Sequence, residues 1–302
     1  MSLAPGGFTP MAQADPPDVE QGAGPTARRM ILGTQLRKLR EAAGITRAQA
    51  AWEIRASESK ISRMELGRVG CKERDVVDLL TMYGVHEKAE RDWAVEMVKQ
   101  ANRPGWWRSF NDTLPSWFDN YIGLEEAATR IRTYELMFVP GLLQTESYAR
   151  AVISRGNPDE ADRDAEDRVA IRMRRQKLLS GPKPPRLWAV LDEAVLHRPV
   201  GGAAVLKEQL EFLLELIKMP TISLQIVPFA HSGLAVESAF SLLQFAEPEL
   251  PNIAYLEHLN GANYLEKPDE LELYSRAFDR LTVDAETPDR SRQMLIKRIA
   301  EI

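Results

Sequence analysis

Apolar residues first recur at helical spacing over 31–43, where Leu32, Leu36 and Leu39 share one face and Arg37, Lys38, Arg40 and Glu41 face outward. Gly44 suits the end of that helix because it tolerates a left-handed backbone. A second helix is predicted from Thr46, with Ala50, Ala51 and Ile54 inward; Thr46 and Gln49 have the spacing of a capping box. A tight turn over 55–57 leads to a third helix that Ser57 can cap. Its Ile61 and Met64 point to a core, leaving Glu58, Ser59, Lys60, Ser62 and Arg63 outward, and Gly67 ends it. A fourth helix is predicted over about 72–83 (Val76, Leu79, Leu80, Tyr83 inward) and a fifth over about 86–101 (Ala89, Trp93, Val95, Met97).

Beyond Pro104 the pattern changes. An aromatic cluster of Trp106, Trp107, Phe110, Trp117, Phe118 and Tyr121 opens a second domain, and a basic helix follows over 163–179. Strands are predicted over 186–192, 222–228, 239–245 and 253–259 by their β-branched, aromatic and apolar content. Helices are predicted over 203–218, over 269–283 and from Thr287, where Pro288 sits in the first turn. Leu295, Ile299 and Ile302 on the last helix form a stripe read first as core and second as a docking face. The expected architecture is multidomain α and α+β: a tail over 1–27, an all-α five-helix domain over 28–103, and a mixed α/β domain over 104–302. Residues 1–27 hold few large apolar side chains and are expected to be disordered.

Charge sharpens this division. The chain carries a net −5, yet residues 28–74 hold 12 Lys and Arg against 5 Asp and Glu, and residues 75–302 hold 27 against 36. A basic segment on an otherwise acidic molecule is the electrostatic footprint of a phosphate-bearing partner. The single cysteine, Cys71, excludes an internal disulfide framework and a Cys-based zinc site. No apolar run reaches about 18 residues, so no membrane span is expected, and a cytoplasmic location is.

Two short helices joined by a tight turn, with polar residues outward on the second, make a helix-turn-helix. The major groove of duplex DNA admits one such helix, so Glu58, Ser59, Lys60, Ser62 and Arg63 are the candidate base-reading residues. Arg47 at the start of the second helix, with Thr46, Arg55, Ser57, Arg68 and Lys72, are the candidate phosphate contacts. Catalysis has weaker support. The four histidines form no HExxH motif, and no P-loop or GxSxG is present. Asp192, Glu193, His197, Glu257 and His258 lie near predicted strand ends and are read as surface polar groups rather than acid–base or metal-binding ones. The expectation is a binding protein and no enzyme, without cofactor or metal.

The run from Leu32 to Gly70 resembles the XRE family of repressor-like helix-turn-helix domains, through Leu36, Arg40, Gly44, Ala51, Ser57, Ile61, Ser62, Glu65 and Gly67. The resemblance implies a pair between Arg40 and Glu65, which makes Glu65 structural, and binding to DNA as a two-fold homodimer. The segment VPGLLQT at 139–145, followed by Tyr148-Ala149-Arg150, resembles the C-terminal domain of a large actinobacterial regulator family that includes antitoxin-like and developmental regulators. Trp107, Glu125, RMRRQKLL at 172–179, LDEAVLHRPVGG at 191–202, LQIVPF at 224–229 and YLEHLN at 255–260 agree with it. That resemblance implies a sensor or partner-binding domain signalled by a small partner protein or ligand. The alternative it carries is an antitoxin-like protein that mainly sequesters a small partner.

Overall fold

A computed structural model describes residues 24–110, 114–156, 162–231, 236 and 238–302. The chain divides into two compact units, one reaching to Arg108 and including 247–250, the other holding 109–246 and 251–302. The aromatic cluster is thereby split: Trp106 and Trp107 go with the first unit, Phe118 and Tyr121 with the second.

Among its described residues the first unit has five α-helices: α1 (Pro25–Ala42), α2 (Arg47–Glu53), α3 (Glu58–Glu65), α4 (Glu73–Met82) and α5 (Lys88–Ala101). Most of the expected tail, 1–23, lies outside the described residues. Its end does not behave as a tail, because Pro25 opens α1 and Thr26 and Ala27 are buried. Proline suits that first turn, where its missing N–H would be unpaired anyway. The core gathers Leu32, Leu36, Ala50, Ala51, Ile61, Met64, Val76, Leu79 and Leu80. α5 buries Ala94, Val98 and Ala101, with Trp93 and Met97 only flanking, while Ala89 is exposed. Two glycines allow close approach. A Cβ on Gly33 would lie 2.4 Å from the Met64 carbonyl oxygen, so only glycine lets α1 touch the end of α3. Gly67 turns the chain with φ +64° and packs against the Met30 backbone.

The second unit is built on a six-stranded mixed sheet in the order β3-β2-β1-β4-β5-β6. The strands are β1 (Arg130–Glu135), β2 (Arg186–Asp192), β3 (Ile222–Val227), β4 (Phe240–Gln244), β5 (Ile253–His258) and β6 (Gly261–Leu265). β1, β2 and β3 pair in parallel; β4, β5 and β6 continue antiparallel. β2 to β5 fall where their β-branched, aromatic and apolar content places them. β1 and β6 are additions to the sequence-based picture. α6 (Ser116–Ala127) precedes β1; α7 (Glu146–Gly156) and α8 (Asp162–Gln176) join β1 to β2; α9 (Ala194–His197) and α10 (Ala203–Leu216) join β2 to β3. α11 (Pro268–Asp284) buries Phe278 and Leu281 against Tyr134, Val190, Phe240 and Leu242 on one sheet face. α12 (Pro288–Glu301) is capped by Thr287 and buries Leu295, and its Ser291 hydroxyl accepts from the Ile226 N–H at 2.9 Å.

The VPGLLQT segment is a fastening point. Gly141–Leu143 form a 3-10 turn with Leu142 and Leu143 buried. Gln144 donates to the Val139 carbonyl at 2.7 Å, and Gln209 of α10 both accepts from the Thr145 N–H and donates to the Leu143 carbonyl. Gln176 of α8 donates to the carbonyls of Leu142 and Gln144. Buried backbone groups need partners, and three glutamines supply them here.

Candidate nucleic-acid interface

α3 is amphipathic in the sense its pattern requires. Ile61 and Met64 are each 1% exposed, whereas Glu58, Ser59 and Arg63 are exposed and Ser62 half-buried. Glu58 with Ser62 and Ser59 with Arg63 stand one turn apart, so these four form a single outward patch. The Ser57 hydroxyl accepts from the Lys60 N–H at 3.2 Å and starts the helix as a cap. The Arg63 Nε donates to the Ser59 carbonyl at 3.3 Å.

Lys60 departs from the expected outward face. Its Nζ lies 2.7 Å from Asp75 Oδ2 on α4, and the lysine side chain is only 33% exposed. Asp75 is largely buried and needs a cation; Lys60 supplies one, so its charge is committed inside the fold. The outward patch is therefore Glu58, Ser59, Ser62 and Arg63.

The pair implied for Arg40 and Glu65 is present and buried. Arg40, which helical periodicity places outward, donates Nε and Nη2 to the two Glu65 oxygens at 2.5 and 3.1 Å and Nη1 to the Ile45 carbonyl at 2.9 Å. The hydrogen bond to Glu65 holds the Arg40 pKa above its ordinary value. Arg47 Nε also donates to Glu65, at 3.0 Å, with the arginine side chain 41% exposed. Glu65 thus orients Arg47 at the start of α2 while the rest of its guanidinium faces outward. Thr46 and Gln49 complete the capping box, which uses the threonine hydroxyl and N–H internally. Arg55, Arg68 and Lys72 are exposed around the same helix pair.

Arg55 is the only non-glycine among the described residues with a positive φ, at +52°. A left-handed arginine costs about 1 kcal/mol or more relative to glycine. The turn between α2 and α3 keeps it nonetheless, with its side chain in solvent beside α3. Trp52, 85% exposed on α2, is a feature the sequence reading passed over. Its signal was a large aromatic at an outward position. Cys71 is buried, and burial pushes its thiol up to about 11, which keeps it protonated and unreactive.

The polar residues at strand ends do not converge. His197 Nε2 lies 3.5 Å from Glu193, and Asp192 accepts from the Ala194 N–H, both after β2. Glu257 accepts from the Tyr255 hydroxyl and His258 meets Asn263, at the end of β5. Three strand spacings of about 4.8 Å separate the groups. Among the described residues, no cluster of three or more His, Cys, Asp or Glu is placed to hold a metal ion, and no helix is long and apolar enough to cross a membrane.

Comparison with known families agrees with this division. Residues 31–94 match a helix-turn-helix domain, the architecture of DNA-binding regulators. No curated protein and no solved structure matches the chain. Residues 118–297, more than half of the molecule, match a domain of unknown function, DUF5753. The chain therefore belongs to the DUF5753 family and carries a helix-turn-helix domain ahead of that family's domain.

Proposed function

We propose that the chain is a sequence-specific transcriptional regulator of the XRE type, acting by binding rather than catalysis. α3 reads the major groove, and the second unit receives the signal that sets DNA affinity. The observation that carries this reading is the patch Glu58, Ser59, Ser62 and Arg63, outward on a helix whose other side is sealed by Ile61 and Met64. Arg63 donates to guanine, Glu58 accepts from cytosine and the serines serve either role. Arg47, Arg55, Arg68 and Lys72, with the Ser57 hydroxyl, hold the phosphates; basic groups of this kind position without reading sequence. The regulator works in the cytoplasm as a homodimer. Its sites are pseudo-palindromes with half-sites about 34 Å apart or a multiple of it.

Operators are found by genome-wide mapping of bound DNA, and affinities by electrophoretic mobility shift. Arg63→Ala is expected to lose about 1–3 kcal/mol of discrimination between operator and scrambled DNA. Arg47→Ala weakens both DNAs alike and flattens the log K–log salt slope by about one unit. A Ser59/Arg63 double alanine variant that keeps its full operator preference would sink the α3 assignment.

A second reading is an antitoxin-like protein whose main output is capture of a small partner. It is favoured by apolar side chains left in solvent on α11 and α12: Leu273 at 65%, Val283 at 82% and Ile296 at 43% exposure. Copurification of a small protein lost on Leu273→Ser/Val283→Ser substitution would support it.

A further inference from the structure

On the sheet face that carries α11, the parallel register sets Arg130 of β1 beside Arg186 of β2, and two residues along it sets Arg132 beside Trp188. Arg132 meets α11 directly. Its Nη2 donates to the Ser275 hydroxyl at 3.3 Å, its Nη1 lies 3.6 Å from Asp279, and its guanidinium lies over the Phe278 ring. Strand alternation therefore puts all four side chains on that face. Neighbouring strands lie about 4.8 Å apart and alternate residues about 6.6 Å apart, so three arginines and one indole occupy a single small block. α11 leaves this end of the face open. Arg130 and Arg186 are exposed and Trp188 is 37% exposed, whereas Tyr134 and Val190 further along the same strands are fully buried.

The block is short of negative charge. Continued across the sheet, its two rows add Gln244 and Leu242 on β4 and Ser223 on β3, and no carboxylate. Asp279 meets Arg132. Among the described residues, neither Arg130 nor Arg186 makes an ion pair or a side-chain hydrogen bond. Other arginines of this unit have acids: Arg175 gives Nε and Nη2 to Glu125 at 2.7 and 2.8 Å, Arg290 meets Glu286 and Arg298 meets Glu301. Like charges at directly opposed positions of neighbouring strands destabilise a sheet. Arg130 and Arg186 are such a pair, and both stand in solvent where packing demands neither.

We propose that Arg130 and Arg186 together bind the phosphate group of a small phosphomonoester whose organic part lies against Trp188. A carboxylate brings two oxygens and one charge, which a single arginine fork uses up. A phosphomonoester brings three terminal oxygens and a charge of about −1.5 to −2 at neutral pH, enough for two guanidiniums side by side. Trp188 is fixed next to them, because its Nε1 donates to Gln225 Oε1 at 2.9 Å and its ring meets Phe278 edge-on. Its exposed part supplies the apolar surface that a bare phosphate would not use. The inference deepens the reading of the second unit as a signal receiver and rests on it for biological meaning, but the binding itself needs no DNA.

The test is isothermal titration calorimetry of the full chain, without DNA, at about 0.15 M salt. The probes are inorganic phosphate, a nucleoside 5′-monophosphate and a hexose 6-phosphate, each ester beside its dephosphorylated counterpart. At least one ester is expected to bind with one site per chain and a Kd below about 1 mM, more tightly than inorganic phosphate, and its counterpart about tenfold or more weaker. Arg130→Gln and Arg186→Gln should each weaken binding about tenfold. Both residues are exposed and unpaired, so the variants should melt with the parent chain. Absence of saturable ester binding, or counterparts that bind as well, would overturn the proposal. So would a double Gln variant that binds the ester unchanged, which would put it in the DNA-reading unit, or one that loses only duplex affinity, which would make the block a grip on nucleic-acid backbone. A bound ester that leaves operator affinity unchanged in a mobility shift would sink the receiver reading and leave the site standing.

Discussion

Both units are organised around a buried Arg–Glu pair, and the surroundings of the two pairs differ. Arg40 and Glu65 sit in a closed arrangement: every strong donor and acceptor around them is used, by Ile45, Glu41 or Arg47. Nothing there asks for a further partner, and the chemistry of the first unit is turned outward. Arg175 and Glu125 are equally well paired, yet Arg172 one turn before Arg175 keeps a buried donor, its Nε, without a hydrogen bond. A buried ion pair is by itself weak evidence of function, because it holds elements in register as readily as it binds anything. The informative feature is what stays unpaired around it.

Breaking the pairs should give the largest effects and should look alike. Glu65→Ala and Glu125→Ala each strand a buried guanidinium, at a cost of about 3–5 kcal/mol. Urea unfolding followed in each unit separately should show that each substitution melts its own unit first. A loss below about 1 kcal/mol at either site would mean that the pair is not sealed from water.

Glu135→Gln should separate the two surroundings through pH. Because the folded-state pKa of Glu135 lies near 8, above its ordinary 4.5, the fold favours the neutral acid. Its stabilising contribution is complete below about pH 4.5 and is lost as pH rises towards 8. The groups facing it are Glu257 from β5 and Arg172 from α8. The glutamine variant, which cannot ionise, should therefore gain on the parent chain between pH 5 and 8, by about 2–4 kcal/mol at the upper end. Parallel stability–pH curves for the two proteins would contradict this.

The smallest effect sharpens the first unit. Arg55→Gly relieves the left-handed backbone and should raise stability by about 0.5–1 kcal/mol in thermal unfolding while weakening DNA binding. Equal stability would mean that the turn is unstrained.

The two units were unequally legible. In the first, local rules suffice: Thr46 and Ser57 cap, Gly44 and Gly67 end helices, and Ile61 and Met64 mark the inner side of α3 at helical spacing. What local rules missed there are long-range pairings, such as Lys60 turning to Asp75 fifteen residues on. In the second, β2 to β5 were visible from their apolar runs, but β1 reads RIRTYE and looks like a charged connection. It is a central strand because Ile131, Thr133 and Tyr134 are buried by elements far along the chain. Arg175 lies 50 residues from Glu125, so no spacing marks the pair. Glu257 stood out only as a polar group at a strand end, and its neighbours Glu135 and Arg172 carried no such signal.

The early start of α1 has a practical consequence. The helix-turn-helix match begins at residue 31, but the helix begins at Pro25, and Met30 backs directly onto Gly67 where α3 ends. A fragment trimmed to the matched region would lose a turn and a half of helix and the prop behind the reading head. A DNA-binding piece cut from this protein should start no later than Gly24.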